Sequence, residues 1–83
     1  MTNMNRYFLH LHECGTVIED AEGVEYASLA EAREFAVASA RDVMAGEVLE
    51  GRLCLDCHIV ITDDGATELA RVNFRDALVV RGR

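Results

Sequence analysis

Cysteine and histidine, the residues of this sequence best suited to metal binding or nucleophilic chemistry, are concentrated in two short stretches. Cys54-Leu-Asp-Cys57-His58 has the spacing C-x-x-C-H, which in c-type cytochromes attaches haem through two thioethers and ligates its iron with the histidine. His10-Leu-His12 supplies two further imidazoles. Haem, zinc and cysteine chemistry are therefore the possibilities that the rest of the sequence must support or weaken.

Haem attachment is not predicted. It needs an oxidising, export-linked setting, and the N-terminus shows no apolar segment of a secretory signal. It also needs a pocket for a large macrocycle, and a chain of 83 residues with an alanine-rich helix has little volume for one. The spacing of Cys54, Cys57 and His58 is interpreted as chance, and no cofactor is expected.

Zinc is the alternative cofactor, because imidazole and thiolate are its normal ligands. The candidate ligands are His10, His12 and His58, with a cysteine in addition. The sequence contains no second C-x-x-C and no H-x3-H pair, which would strengthen the signal. The residues between and after the two cysteines favour an extended chain, in which residues three apart point to opposite faces. We therefore prefer histidines on a half-exposed sheet face and cysteines that act as small apolar side chains.

Enzymatic activity is not predicted either. Cys57 and His58 are adjacent in sequence, but neighbouring residues of a strand face opposite ways, so adjacency makes no catalytic dyad. Asp63 and Asp64 fit a tight turn better than a pair of catalytic carboxylates. No P-loop, G-x-G-x-x-G or G-x-S-x-G motif occurs. The sequence predicts a non-enzymatic protein without catalytic residues.

Composition and charge exclude further classes of protein. With 15 acidic and 8 basic residues the chain has a net charge of −7, which opposes binding to a phosphate backbone. No apolar run approaches the roughly 18 residues that suggest a membrane span. We therefore expect neither a nucleic-acid partner nor a membrane partner. The cytoplasm is the expected location, and the cysteines are expected to be reduced thiols there.

Local patterns predict the elements that position these side chains. Residues 6–12 and 17–19 form two strands joined by a turn that contains Gly15. Ser28 and Glu31 have capping-box spacing, and a helix is predicted from Leu29 to about Ala45. Residues 58–62 and 67–74 predict a second hairpin, and residues 75–83 fit either a helical turn or a strand.

The predicted helix carries a stripe of mostly small side chains. Its members recur at three- and four-residue spacing and are Leu29, Ala32, Ala36, Ala40 and Val43. Small side chains allow close approach to a sheet, so this stripe is expected to pack on the strands. The acidic segment 20–25 before the helix is predicted to be a solvated loop, with Gly23 available for a positive φ.

Together these elements predict one α+β domain over residues 1–83, with the element order ββαββ. A right-handed crossover through the helix gives a four-stranded antiparallel sheet of order 2-1-3-4. One helix covers one face of such a sheet and leaves the other open. Ile59 and Ile61 are assigned to the helix side, and alternation then places a set of side chains on the open side. That set is Phe8, His10, His12, His58 and Val60.

This open side is the predicted functional surface. An uncovered sheet face with apolar groups tends to be occupied by another protein. We therefore predict an interaction module that binds a protein partner or itself, with a homodimer as the expected form. An acidic chain also suits a basic partner, so masking of a basic protein is a further possibility.

Four stretches, taken in order, resemble a known family. They are Arg6-Tyr-Phe-Leu-His-Leu-His12, Asp20-Ala-Glu-Gly23-Val-Glu25, Ser28-Leu-Ala-Glu-Ala-Arg33 and Val72-Asn-Phe-Arg-Asp-Ala77. The chain is similar in these to a family of small, uncharacterised proteobacterial proteins, a domain of unknown function. The resemblance implies no activity, cofactor or catalytic residue. It also implies that cysteines matching Cys54 and Cys57 are commonly absent, which weakens the haem and zinc interpretations.

Overall fold

The computed structural model describes residues 4–13, 15–79 and 81, and the described chain is an α+β fold, as predicted. Its elements follow the order βββαββ, with a short 3-10 helix after the last strand. The strands are β1 (Asn5–Glu13), β2 (Thr16–Ile18), β3 (Val24–Tyr26), β4 (His58–Thr62) and β5 (Glu68–Asn73). The helices are α1 (Leu29–Leu49) and the 3-10 helix Phe74–Asp76.

The sheet is antiparallel and its main path runs β2-β1-β4-β5. The prediction of four strands is wrong in one respect, because β3 is a fifth strand. β2 pairs with the C-terminal end of β1, whereas β3 pairs with its N-terminal end. β3 begins inside the segment 20–25 predicted to be a solvated loop, and three residues are too few for a recognisable alternating pattern.

The helix α1 begins where the capping pattern predicts. The Ser28 hydroxyl oxygen accepts a hydrogen bond from the backbone N–H of Glu31 at 3.3 Å. The helix ends later than predicted, because Gly46 lies inside it and Gly51 terminates it. Gly51 has a φ of 86° and its N–H donates to the Val48 carbonyl, a common arrangement after the last helical turn.

The hydrophobic core lies between α1 and the sheet, as the alanine stripe predicts. Ala32, Ala36 and Ala40 are fully buried, and Met44 continues the stripe one turn later. Small side chains bring the helix close to the strands, where the larger apolar groups fill the space between the two layers. These groups are Tyr7, Ile59, Ile61, Val72 and Phe74.

The predicted division of side chains between the two faces is confirmed. Ile59 and Ile61 lie in the core, and His12 is opposite His58 in the β1–β4 pairing. His10 is opposite Val60 in the same register. All three histidines therefore lie on the face that α1 leaves uncovered, which we call the open face: Phe8, His10, His12, His58, Val60 and Thr62.

The segment after β5 packs against α1. The segment predicted as a helical turn or a strand begins with the 3-10 helix, while positions 80, 82 and 83 lie outside the described residues. Ala77 is buried, and its carbonyl accepts a hydrogen bond from the Arg41 side chain on α1. In the part of the chain that the structure describes, no helix has the length and apolarity to cross a membrane.

Candidate functional site

Four flat rings form two stacked pairs on the open face. The rings of Phe8 and His10 have centroids 6.4 Å apart and planes 7° apart. The rings of His12 and His58 have centroids 4.6 Å apart and planes 13° apart. All four side chains are half-buried, and each ring restricts the rotation of its neighbour. The open face thus presents an ordered set of rings.

His10 is held by hydrogen bonds to both ring nitrogens. Its Nδ1 accepts from the backbone N–H of Asp20 at 3.2 Å, and its Nε2 lies 3.1 Å from the Thr62 hydroxyl oxygen. Because Nδ1 is an acceptor here, the neutral ring carries its proton on Nε2 and donates it to Thr62. Neither nitrogen is then available to a metal ion without breaking a hydrogen bond.

Asp20 organises the segment between β2 and β3. Its carboxylate accepts hydrogen bonds from the backbone N–H groups of Leu9, Glu22 and Gly23, at 3.2, 3.3 and 2.9 Å. Partial burial raises the pKa of Asp20, but these three hydrogen bonds and the nearby His10 lower it more, so the pKa lies below its ordinary value. Leu9 pairs with Ile61 of β4 on one side of β1, and on the other side, where neither β2 nor β3 pairs with Leu9, Asp20 accepts its N–H.

Gly23 allows this segment to approach the open face. Its φ is 72°, as the sequence suggested, and a Cβ atom there would lie 2.9 Å from Phe8 Cε2 and 2.9 Å from the Tyr7 carbonyl oxygen. The backbone at Gly23 therefore lies directly against the Phe8 ring. Sequence analysis did not identify Asp20 as part of the site, and the D-x-x-G spacing of Asp20 and Gly23 was the available signal.

Two side chains of the open face, Val60 and Thr62, are buried by their neighbours on the same face. Both lie on the side without a helix, yet their exposed fractions are only 7% and 8%. Val60 was predicted as an interaction residue, but its side chain is buried beneath its neighbours. The accessible members of the predicted set are Phe8, His10, His12 and His58.

The pKa of His58 is lower in the folded chain than its ordinary value of 6.5. Partial burial is the largest cause, and the positive charges of Arg71 and His12 act in the same direction. Glu68 and a hydrogen bond to the Asp56 backbone raise the pKa by less. Folding therefore favours the neutral imidazole of His58.

Acidification is expected to destabilise the protein through His58. As the pH falls, the unfolded chain takes up a proton at this residue before the folded chain does, so unfolding becomes more favourable. The stabilisation is complete above the ordinary value of 6.5 and is lost as the pH falls through the lower folded-state value. Urea titrations from about pH 8 to 5 should show this decline, and His58→Gln should flatten it. An unchanged decline in His58→Gln would contradict the assignment.

The three predicted zinc ligands do not form a common site. His10 is committed to Asp20 and Thr62, while His12 and His58 form a separate stacked pair. Among residues 4–13, 15–79 and 81, no group of three or more histidine, cysteine or acidic side chains is placed to hold a metal ion. Of the three predicted ligands, His12 and His58 lie next to each other, and their rings stack.

The prediction of an extended chain between Cys54 and Cys57 is wrong. The two intervening residues form a bend, and the Cys57 thiol donates to the Cys54 sulfur at 2.9 Å. Arg75 holds the bend from outside, since its guanidinium donates to the Leu55 carbonyl and forms an ion pair with Asp56. These contacts come from a part of the chain far away in sequence, so local propensity did not reveal the bend.

A second apolar surface lies at the C-terminal end of α1. Val48, Leu49 and Leu53 are exposed there, Leu49 to 89%, beside the half-buried Leu78. Sequence analysis did not single out this surface. It provides a comparison for the open face in the experiments below.

Comparison with known proteins identifies a family. Residues 6–75 match the model of a family described as "Domain of unknown function (DUF6894)", which confirms the resemblance to such a domain. No curated protein and no solved structure matches the chain.

Proposed function

The chain belongs to the family described as a domain of unknown function, DUF6894, and since that description assigns no activity, we propose from the geometry that it is a non-enzymatic protein-interaction module. In this proposal the open face binds a second copy of the chain and forms a homodimer. The observation that carries the proposal is the ordered set of rings on that face, Phe8, His10, His12 and His58.

Pre-ordering of the rings favours binding. Association costs free energy for every side chain that it immobilises, on the order of 0.5–1.5 kcal/mol for flexible ones. The ring of His10 is already held by two hydrogen bonds, and His12 and His58 already stack on each other. Val17, which is opposite His12 and 50% exposed, adds apolar area next to the rings. Binding of a partner would therefore immobilise few additional side chains on this surface.

Charge balance favours a second copy as the partner. The chain carries a net charge of −7, but two opposite-charge pairs border the open face, and the Asp20 carboxylate beside it is bound by backbone N–H groups. Arg6 lies opposite Glu25 between β1 and β3, and Arg71 forms an ion pair of 3.4 Å with Glu68. Two acidic chains repel each other least where their local charges cancel. The two pairs reduce the repulsion between copies at the open face.

Phe8→Glu is expected to weaken the dimer by at least tenfold. Truncating or charging a ring at an interface centre costs more than about 1.4 kcal/mol, which corresponds to a tenfold change in the dissociation constant. Sedimentation equilibrium should show a dimer for the natural sequence and a monomer for Phe8→Glu at the same concentration. Val17→Glu, a change at an exposed position on the same side, should act in the same direction and guards against misfolding of Phe8→Glu.

Leu49→Glu is the matched control, because it introduces the same charge on the exposed surface at the end of α1. It should leave the dimer intact. If Leu49→Glu dissociates the dimer and Phe8→Glu does not, the interface lies at the helix end and the proposal fails. A natural chain that stays monomeric at all concentrations also overturns the proposal.

Zinc binding is the second candidate function, favoured only by the adjacent imidazoles of His12 and His58. Zinc sites in proteins generally have four ligands or three with a water, so this pair would need ligands from a second copy. Elemental analysis of protein purified without a histidine tag separates the candidates. Stoichiometric zinc that is lost in His58→Gln supports the metal site, and a metal-free dimer removes it.

A further inference from the structure

We propose that Cys54 and Cys57 form a reversible disulfide within the chain, which makes the connection between α1 and β4 a thiol–disulfide exchange site. The Cys57 thiol donates to the Cys54 sulfur at 2.9 Å. A disulfide bond is about 2.05 Å long, so the two sulfur atoms need to approach by roughly 0.9 Å more. A shift of that size is within the reach of side-chain rotation.

Three residues, Glu47, Phe74 and Arg75, hold the two cysteines in this arrangement. The backbone N–H of Cys54 donates to the Glu47 carboxylate on α1 at 3.2 Å. The carbonyl of Cys57 accepts from the N–H of Phe74 at 2.9 Å, and Arg75 holds the intervening bend. The folded chain has therefore already placed both thiols near each other, and disulfide formation requires little loss of conformational freedom.

The two thiols differ in exposure, which assigns their order of reaction. Both cysteines line a shallow surface pocket with Glu13 and Thr16, but Cys54 is half-buried there. Cys57 is only 2% exposed. Cys54 is thus the attacking thiolate, and Cys57 is the resolving thiol.

The reactant class is a low-molecular-weight disulfide such as oxidised glutathione. The Cys54 thiolate attacks one of its sulfur atoms, the sulfur–sulfur bond breaks, and one glutathione leaves as a thiolate. Cys57 then gives its proton to solvent and attacks the Cys54 sulfur, releasing the second glutathione thiolate. Two thiols of the protein are oxidised, and one small disulfide is reduced to two thiols.

Tryptic mapping of the whole natural chain tests the pairing, because cleavage after arginine separates the cysteines into two peptides. Peptide 53–71 contains Cys54 and Cys57, and peptide 7–33 contains Cys14, which lies outside the described residues. The chain is equilibrated in glutathione buffers, alkylated and digested. Peptide 53–71 is expected to lose two hydrogen atoms and to resist alkylation.

The folded geometry is tested by the same equilibrium in urea. The equilibrium constant for the disulfide should be at least tenfold larger in the folded chain than in the unfolded chain, and Arg75→Gln should lower the folded-state value. Three results overturn the proposal. They are alkylation of both cysteines at equilibrium, a cross-link between peptides 7–33 and 53–71, and stoichiometric zinc that protects both thiols.

Discussion

Replacing Gly23 by alanine is expected to lower the free energy of unfolding by about 2–4 kcal/mol, a large part of the total for a domain of this size. Two costs combine. An alanine at a φ of 72° carries the strain of the left-handed region, about 1–2 kcal/mol. Its Cβ would also lie 2.9 Å from the Tyr7 carbonyl oxygen and 2.9 Å from the Phe8 ring, and backbone cannot move aside cheaply.

The variant Gly51→Ala distinguishes the cost of backbone strain from the cost of the close contacts that a Cβ atom would make. Gly51 has a φ of 86°, but a Cβ atom there meets nothing within 4 Å. This control should therefore lose only the backbone strain, about 1–2 kcal/mol. Urea denaturation of both variants, followed by circular dichroism, measures the difference. Equal losses would show that contact with β1 is unimportant at Gly23.

Replacing Asp20 by alanine is the other change with a large expected effect, a loss of about 2–3 kcal/mol. The variant removes one carboxylate that accepts three backbone hydrogen bonds, and it leaves the part-buried N–H of Leu9 without that acceptor. Asp20→Asn keeps an accepting oxygen without the charge, so its loss should be intermediate. Urea denaturation near neutral pH provides the measurement.

Asp63→Ala is the matched control for Asp20→Ala. Its carboxylate also accepts backbone hydrogen bonds, from Gly65 and Thr67 at 2.9 Å, but in an exposed turn. A loss of about 1 kcal/mol is expected there, and a loss as large as that of Asp20→Ala would contradict the special position of Asp20.

The pH dependence of Asp20 gives a further check on the same variants. Its folded-state pKa is depressed, so its stabilisation is complete above the ordinary value of 3.8 and is lost as the pH falls through the lower folded-state value. Asp20→Asn should lack this acid-range decline. The effect occurs at lower pH than that of His58, so a titration distinguishes them.

The positions of the histidines could be predicted from sequence because strand alternation is a local property. Residues 58–62 and 6–12 have compositions that favour strands. Because successive side chains of a strand point to opposite faces, this alternation places His10, His12 and His58 on one face. The helix start was equally local, because Ser28 and Glu31 lie within one turn. These features need no knowledge of the rest of the chain.

The remaining features depend on contacts between distant residues. The bend between Cys54 and Cys57 is held by Arg75, about 20 residues further along, and the role of Asp20 depends on Leu9, 11 residues earlier. Val60 is buried by neighbours that only the assembled sheet brings together. β3 is a strand because β1 offers it a partner, rather than because three residues specify one.

The interrupted pairing along β1 also bears on aggregation. A long strand with a continuous row of unpaired backbone groups is a template for strands of other chains, and many proteins block such edges with proline or lysine. This chain contains no proline, and all of its basic residues besides histidine are arginines. Here two short strands occupy the ends of β1 and the Asp20 carboxylate fills the gap at Leu9, so another chain would meet the three-residue outer edges of β2 and β3 rather than the whole length of β1.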